Sequence, residues 1–488
     1  MHHALIFNVH EMGNRRPVGP YRIASYLREQ GWDVEVIEWA FYWNLDQLKD
    51  LANSRIKSNT LFCGLGCFFG HWDTKFEDYT TWIKKKWPQV KTVYGSHTFP
   101  MFDSKAIDYY IVGYGEKAML ELAKSFTGNT SSRIVFDPKF FGSKRLISAN
   151  DSYPAFPLHS LKVIYEDRDF LNPDEWLTTE FARGCKFACK FCNFPILGVK
   201  GDYNRSAEDF DISMRDAYDR FGITNYYVSD ETINDSTEKL EKFAQVVDKL
   251  NFEPLLYGFI RADLMVHHRD SWDAMARLRL LGHYYGVETM NKKSGESIGK
   301  GMNPDKLLPG LIEAKDWFRK QGVYRGTLSL ICGLPHETEE TWWNGIQWCL
   351  DNWQGECTNM FALEIPTEET DAKLSFFSTN YEKLGYRESS VPRNLANEKS
   401  DLQANYSRKL LNWENDHMNM ARAVKLVEEA YDKLTPTDMT VNTWSFSDYS
   451  IIAKDAREIS TYHINKAPPD YRPLHESYIA KKLNRDNK

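Results

Sequence analysis

Short runs of β-branched and aromatic residues alternate with amphipathic segments from the first residues onward, and this alternation sets the architecture. Residues 4–9 (ALIFNV) predict a strand, 19–31 a helix closed by Gly31, and 33–39 the next strand, together one βαβ unit. The pattern continues through a strand at 60–66, a helix near 73–87, a strand at 91–96, and a strand that turns into a helix over 109–126. Five strands with helices between them predict a doubly wound parallel sheet. Ligands of such sheets sit beyond the carboxyl ends of strands, so the glycine-bearing ends VYGSH and VGYGE are candidate binding edges, or simply turns.

Residues 128–175 lose this pattern in favour of Asn, Ser, Gly and Pro and read as a linker after a first domain at 1–127. A second alternating series fills 176–366. It has strands at 176–182, 225–229, 254–260, 283–288, 324–333 and 360–365, and helices near 206–221, 236–250, 270–281, 304–321 and 338–352. Six βα units in about 190 residues are too few for an eight-unit barrel and predict a partial one, with its chemistry at the carboxyl ends of the strands. Residues 367–488 are more polar and form a mostly helical extension. Within it, 409–434 predicts a core-facing helix because Leu411, Met418, Val424, Val427 and Tyr431 recur at helical spacing.

Composition narrows the partners. A length of 488 residues with 42% hydrophobic and 26% charged content is ordinary for a globular protein of two or three domains. A net charge of −7 supplies no basic field, so nucleic acid is not indicated. No apolar run approaches the ~20 residues of a membrane span, and the first residues pass directly into a strand pattern, so a cytoplasmic protein without a membrane partner is expected. Eight unevenly placed cysteines do not form a disulfide framework and are expected to be reduced. Trp39, Trp43 and Trp82 read as core, as do the two cysteines of CGLGC (63–67), for which a redox pair is the alternative.

Three other cysteines, Cys185, Cys189 and Cys192 in RGCKFACKFC, follow the first barrel strand directly. A structural zinc site normally closes with four ligands, commonly in two pairs, and no second pair is near. A four-iron cluster held by three thiolates leaves one iron open to a ligand from outside the protein. A zinc or redox-thiol site is the alternative.

The CxxxCxxC spacing at the head of a partial barrel resembles the radical SAM superfamily. The resemblance implies a [4Fe-4S] cluster on the three thiolates and S-adenosyl-L-methionine (SAM) chelated by the open iron. It further implies reductive cleavage of SAM to a 5'-deoxyadenosyl radical and a reducing partner such as flavodoxin or ferredoxin. By the same resemblance Phe191 lies near the adenine, or only packs the loop. Asp230 and Glu231 of VSDET seat the SAM amino group, or cap a helix. Arg261 of IRAD faces the SAM carboxylate, or makes a surface ion pair. Glu288 of YGVET accepts the ribose hydroxyls, and Gly333 of ICGLPHET lets the backbone approach the adenine. Cys332 beside it reads as core, with quenching of a substrate radical the alternative.

The first domain, through RPVGPYRIASYLREQGWDVEVIEW, VYGSH and IVGYGEKAMLEL, resembles the cobalamin-binding-type domain that precedes the barrel in one radical SAM class. The DxHxxG motif of cobalt ligation is absent: NVHEMG carries His10 and Gly13 but Asn8 in place of aspartate. His10 reads better as a solvent-facing loop residue than as a ligand, and bound cobalamin stays open. The expectation is a radical SAM enzyme acting on a small-molecule or peptide substrate. Its reaction is cobalamin-assisted methylation, or a cobalamin-free rearrangement, oxidation or thiolation. A non-catalytic metal-binding or scaffold protein is the reading from another class. In the extension, His417 and Asp448 could touch substrate, though surface or core roles fit them better.

Overall fold

Seven consecutive buried residues make His3–Val9 (β1) a strand covered on both faces, as the centre of a parallel sheet requires. The computed structural model describes residues 1–68, 72–97, 100, 102–128, 134, 136, 145–149, 162–192, 203–301, 303–322, 324–367, 375–391, 410–434 and 470–485. Arg15–Arg16 (β2) follows the loop after β1, and Asp33–Ile37 (β3), Thr60–Cys67 (β4), Lys91–Ser96 (β5), Tyr109–Val112 (β6) and Leu146–Ser148 (β7) complete the first half of the chain. The first sheet has the order β3-β1-β4-β5-β6-β7 and is parallel throughout. Its sixth strand, β7, lies inside the stretch expected to be a linker; three residues are too few to carry a period.

Alternate residues of β1 serve two cores. Leu5, Phe7 and Val9 pack with the helices Leu45–Arg55 and Thr74–Lys86. Ala4 and Ile6 face the helices Gly19–Glu29 and Glu116–Phe126, and this second core runs on into the barrel. Trp39 and Trp43 are fully buried and Trp82 is half-buried at the edge of the first core. Cys63 and Cys67 are free, buried thiols, in line with the core reading.

The barrel strands are Trp176–Thr179 (β8), a two-residue strand Ala182–Arg183 (β9) paired antiparallel with Tyr203–Asn204 (β10), then Asn225–Val228 (β11), Leu255–Arg261 (β12), Leu280–Glu288 (β13), Arg325–Cys332 (β14) and Cys357–Ala362 (β15). The expected six parallel strands are present, in the order β15-β14-β13-β12-β11-β8, and β2 adds a seventh at the open edge beside β8. The first domain therefore lends a strand to the second. A buried ion pair between Arg16 and Glu175 and a backbone bond from Trp176 to Asn14 fasten the junction.

In the extension the expected helix begins late, at Met420, and runs to Leu434 against β15. Upstream, Trp413–Glu414 pairs with Arg387–Glu388, and the Asn415 side chain accepts the His417 and Met418 N–H groups. That turn competes with helix at these residues. His417 is exposed, and Asp448 lies outside the described residues.

A last helix, Arg472–Asn484, returns to the first domain. The Glu38 N–H donates to the Tyr478 hydroxyl, His475 bonds the Gly13 carbonyl, and the fully buried Lys482 pairs with Glu35 at 3.0 Å. Burial pushes the Glu35 carboxyl up, but Lys482, Arg485 and Arg55 overcome it and hold the group at about 2, below its ordinary 4.5. A depressed carboxylate contributes stability that is complete above 4.5 and lost as pH falls towards 2. Lys482→Met should cost about 2–4 kcal/mol in urea unfolding and move the acid transition to higher pH; an unchanged urea midpoint would show that the cluster contributes nothing net.

Candidate functional site

Buried charges hold the root of the cysteine loop. Arg183, in β9, pairs with Glu116 at 2.5 Å and Glu180 at 2.8 Å and lies 4.1 Å from the Tyr114 ring centre, and Glu180 also pairs with Arg22 at 2.6 Å. Glu116 opens a helix of the first domain, so the loop is tied across the two sheets. Burial pushes the Glu116 carboxyl up, but Arg183 and Arg22 hold it below the usual carboxylate range. Arg205, just past β10, donates to Thr179 and is lowered to about 9 by burial and then by Arg22. Gly184 follows Arg183 at φ 92°, a left-handed turn that favours glycine.

Cys185, Cys189 and Cys192 are half-buried thiols outside any disulfide. The Arg261 guanidinium donates to Cys189 Sγ at 3.2 Å and lies 3.9 Å from the Phe187 ring centre, and Cys185 Sγ is 3.5 Å from the Thr232 hydroxyl. Lys190 N–H donates to the Ile298 carbonyl, the Phe377 N–H donates to the Lys190 carbonyl, and the Cys192 N–H donates to the Cys189 carbonyl. Gly299, at φ 81°, packs against the backbone of Ala188 and Cys189. The loop is thus gripped by barrel and extension together. Among the described residues no three side chains gather into a ready metal cage. Three cysteine sulfurs on one loop are nevertheless the donor type a cluster needs. Phe191 is half-buried against the main core.

The two acidic residues after β11 separate. Asp230 is buried, accepts the Phe181 N–H at 2.7 Å and lies 3.6 Å from Lys239; burial, opposed by Lys239, leaves its carboxyl at about 6. It bolts β11 to the end of β8. Glu231 accepts the Gly184 N–H at 3.1 Å and is pushed well up by burial and then by Asp230. Neither caps the next helix, whose N-terminus is held by Ser236. Arg261 is not a surface residue: it is 8% exposed and paired with Asp263 at 2.8 Å.

Glu288 stands at φ 68°, a costly conformation for a residue with a side chain, where the β13–β14 register slips. Its carboxylate accepts from Ser329 at 3.3 Å and lies 3.3 Å from Lys300, which also donates to the Gly286 carbonyl at 2.7 Å. A Cβ on Gly286 would come within 2.8 Å of the same carboxylate. Lys300 escaped the sequence reading because only folding brings it to Glu288.

Gly333 sits at φ 95°, and a Cβ there would strike Trp413 of the extension. Its N–H goes to Glu337 and its carbonyl accepts from Tyr386, both at 2.7 Å, so its backbone is engaged by protein. Cys332 is fully buried. His10 overturns its expectation of solvent exposure: it is 0% exposed, with Nε2 on Glu38 and Nδ1 accepting the Met12 N–H. Asn8, in the aspartate position, also donates to Glu38.

Residues 179–349 match the model of the radical SAM superfamily. Among solved structures, the chain is similar in fold to the radical S-adenosylmethionine methyltransferase TsrM from Kitasatospora setae with cobalamin and a [4Fe-4S] cluster bound. That likeness has 13% identity and a TM-score of 0.66 and covers all of both chains. It is also similar to the cobalamin-dependent S-adenosylmethionine radical enzyme OxsB with aqua-cobalamin and S-adenosylmethionine bound, at 13% identity and TM-score 0.60 over 99% of this chain and 72% of that one. No curated protein matches in sequence.

Glu337, buried between Gly333 and Thr289, is pushed up to about 8 by burial. A raised carboxyl contributes stability that is present below its ordinary value and lost as pH rises through 8. Glu337→Gln should flatten the fall in thermal stability between pH 4.5 and 8, where one proton is worth up to about 1.4 kcal/mol per pH unit; a slope equal to wild type would contradict the assignment.

Proposed function

We propose that this chain, which carries a radical SAM domain over residues 179–349, is an enzyme that holds a [4Fe-4S] cluster through Cys185, Cys189 and Cys192 and methylates a small-molecule substrate. The observation that carries the reading is the cysteine loop itself. Three half-buried thiols follow the first barrel strand, with the Arg261 guanidinium on one sulfur and the loop's root locked by Arg183.

When bound, the cluster would supply the electron that splits one SAM into methionine and a 5'-deoxyadenosyl radical that takes a hydrogen atom from the substrate; because that SAM's methyl group leaves with methionine, the transferred methyl would come from a second SAM, with cobalamin as its carrier. The remaining roles belong to this chain. Glu231, over the loop's start, accepts the SAM ammonium while Asp230 keeps the loop against β11. Arg261, paired with Asp263, would hold the SAM carboxylate. Glu288 accepts the ribose hydroxyls, with Lys300 fixing its carboxylate, and Phe191 borders the adenine. Gly333, with both backbone groups engaged, serves chiefly to admit Trp413. Likeness in fold to a cobalamin-bound methyltransferase along the full chain supports methyl transfer over a cobalamin-free reaction.

Protein reconstituted anaerobically should carry about four irons and, with SAM and dithionite or reduced flavodoxin, release 5'-deoxyadenosine. Cys189→Ala should lose the cluster absorbance and drop product to background; retention of both would refute the ligand set. Cobalamin, if this chain takes it up, gets no ligand from His10, whose two ring nitrogens are engaged in a closed core. The cob(II)alamin form should therefore show no nitrogen splitting in its electron paramagnetic resonance spectrum, and a histidine-type splitting would overturn this.

A further inference from the structure

β2 does more than close the barrel edge. Arg15 and Trp176 are register partners in β2 and β8, so both side chains lie on one face of the sheet. That face is the inner one, because Trp176 meets the Tyr257 ring across the lumen side at 6.5 Å. Arg15 is 7% exposed and its guanidinium lies 4.3 Å from the Tyr227 ring centre. Its side-chain hydrogen bonds go to the Met12 sulfur, a weak acceptor, and among the described residues it has no carboxylate partner. The Trp176 indole N–H is buried and has no acceptor among the described residues. A guanidinium bonded to a sulfur and an indole N–H without an acceptor thus stand on neighbouring strands of one sheet face, two donors that an anionic ligand would satisfy.

The walls above this floor are aromatic. Tyr227 and Phe259 are half-buried, with ring centres 6.2 Å apart, and Phe259 meets Tyr284 edge-on at 5.0 Å. These rings face the lumen below the strand ends that carry Glu231, Arg261 and Glu288. Apolar rings suit a flat, apolar body.

We propose that Arg15 and Trp176 bind the carboxylate of a small aromatic or apolar acid that is the substrate of the barrel site. This rests on reading the barrel as the radical SAM site. A carboxylate matches a guanidinium edge plus one indole N–H, whereas a phosphate would leave charged oxygens against the rings. Tyr227 covers one face of the guanidinium and the Met12 sulfur, a weak acceptor, takes Nε and Nη2, so Nη1 is the group that meets such a carboxylate first. The substrate's apolar body then stands between the carboxylate anchor and the strand ends, which sets which of its carbons meets the reacting centre.

The test is calorimetric titration of the full-length protein with 3-phenylpropionate and indole-3-propionate and with their primary amides. At least one acid should bind wild type ~10-fold or more tighter than its amide, the preference expected of a charge-assisted contact. Arg15→Gln should remove the preference while leaving near-ultraviolet circular dichroism unchanged. Trp176→Phe, which keeps a ring and removes only the N–H, should weaken the acid about threefold or more and leave the amide unaffected. The proposal is overturned if neither acid binds, if acid and amide bind alike, or if Trp176→Phe keeps the full preference. Acid binding needs no cluster and is measured without SAM. Failure of the radical SAM reading would instead appear as absent 5'-deoxyadenosine in the reconstituted enzyme with acid binding intact.

Discussion

The chain of buried charges Arg22, Glu180, Arg183 and Glu116 is the constraint on which the candidate site depends. Charges this deep are expensive to desolvate and are tolerated only when paired, and removing one partner strands the other. Here Arg22 and Glu116 come from helices packed on the first sheet and Glu180 and Arg183 from the chain just after β8, so neither half of the chain satisfies its own charges alone. The cysteine loop leaves β9 at Arg183, inside this network, and the chain returns through β10, which pairs with β9, to Arg205, whose guanidinium bonds Thr179 of β8. The position of the thiols relative to the first domain is therefore settled by electrostatics before any cofactor arrives.

The same logic extends outward. β2 donates an edge strand to the barrel, the core that includes Ala4 and Ile6 continues into the barrel layer, and Arg472–Asn484 closes back over Glu35 and Glu38. The extension also enters the site directly. Trp413 fills the space at Gly333, Tyr386 takes that glycine's carbonyl, and Phe377 holds Lys190 of the cysteine loop. What looks like an accessory tail in sequence is part of the wall.

Inside that frame each candidate residue has a distinct mechanical duty. Asp230 carries a hydrogen bond between strands, while its neighbour Glu231 faces the loop. Glu288 is turned by a register slip and pinned by Lys300, and Arg261 divides its donors between Asp263 and Cys189. Adjacent residues of one motif thus part company in the turn beyond β11, Asp230 going to the Phe181 N–H and Glu231 to the Gly184 N–H.

Much of this was legible in the residues. Hydrophobic period and glycine placement gave both parallel sheets and all six principal barrel strands, because strands buried on two faces must be continuously apolar. The CxxxCxxC spacing marked the loop, because metal chemistry needs those side chains close along the chain. Short elements escaped: β2 and β7 are too brief to show a period, and the turn at Asn415 shortened a helix that apolar spacing extended to 409. Contacts between distant segments escaped as well. Lys300 on Glu288, Trp413 on Gly333, Glu38 on His10 and Arg15 beside Trp176 join positions whose proximity no local pattern encodes. Local propensity and period determined which elements form and where the thiols lie. Only the packing of both sheets and the extension decided which charges are buried, which donors lack an acceptor and which side chains face the lumen, since burial and pairing are properties of the assembled core.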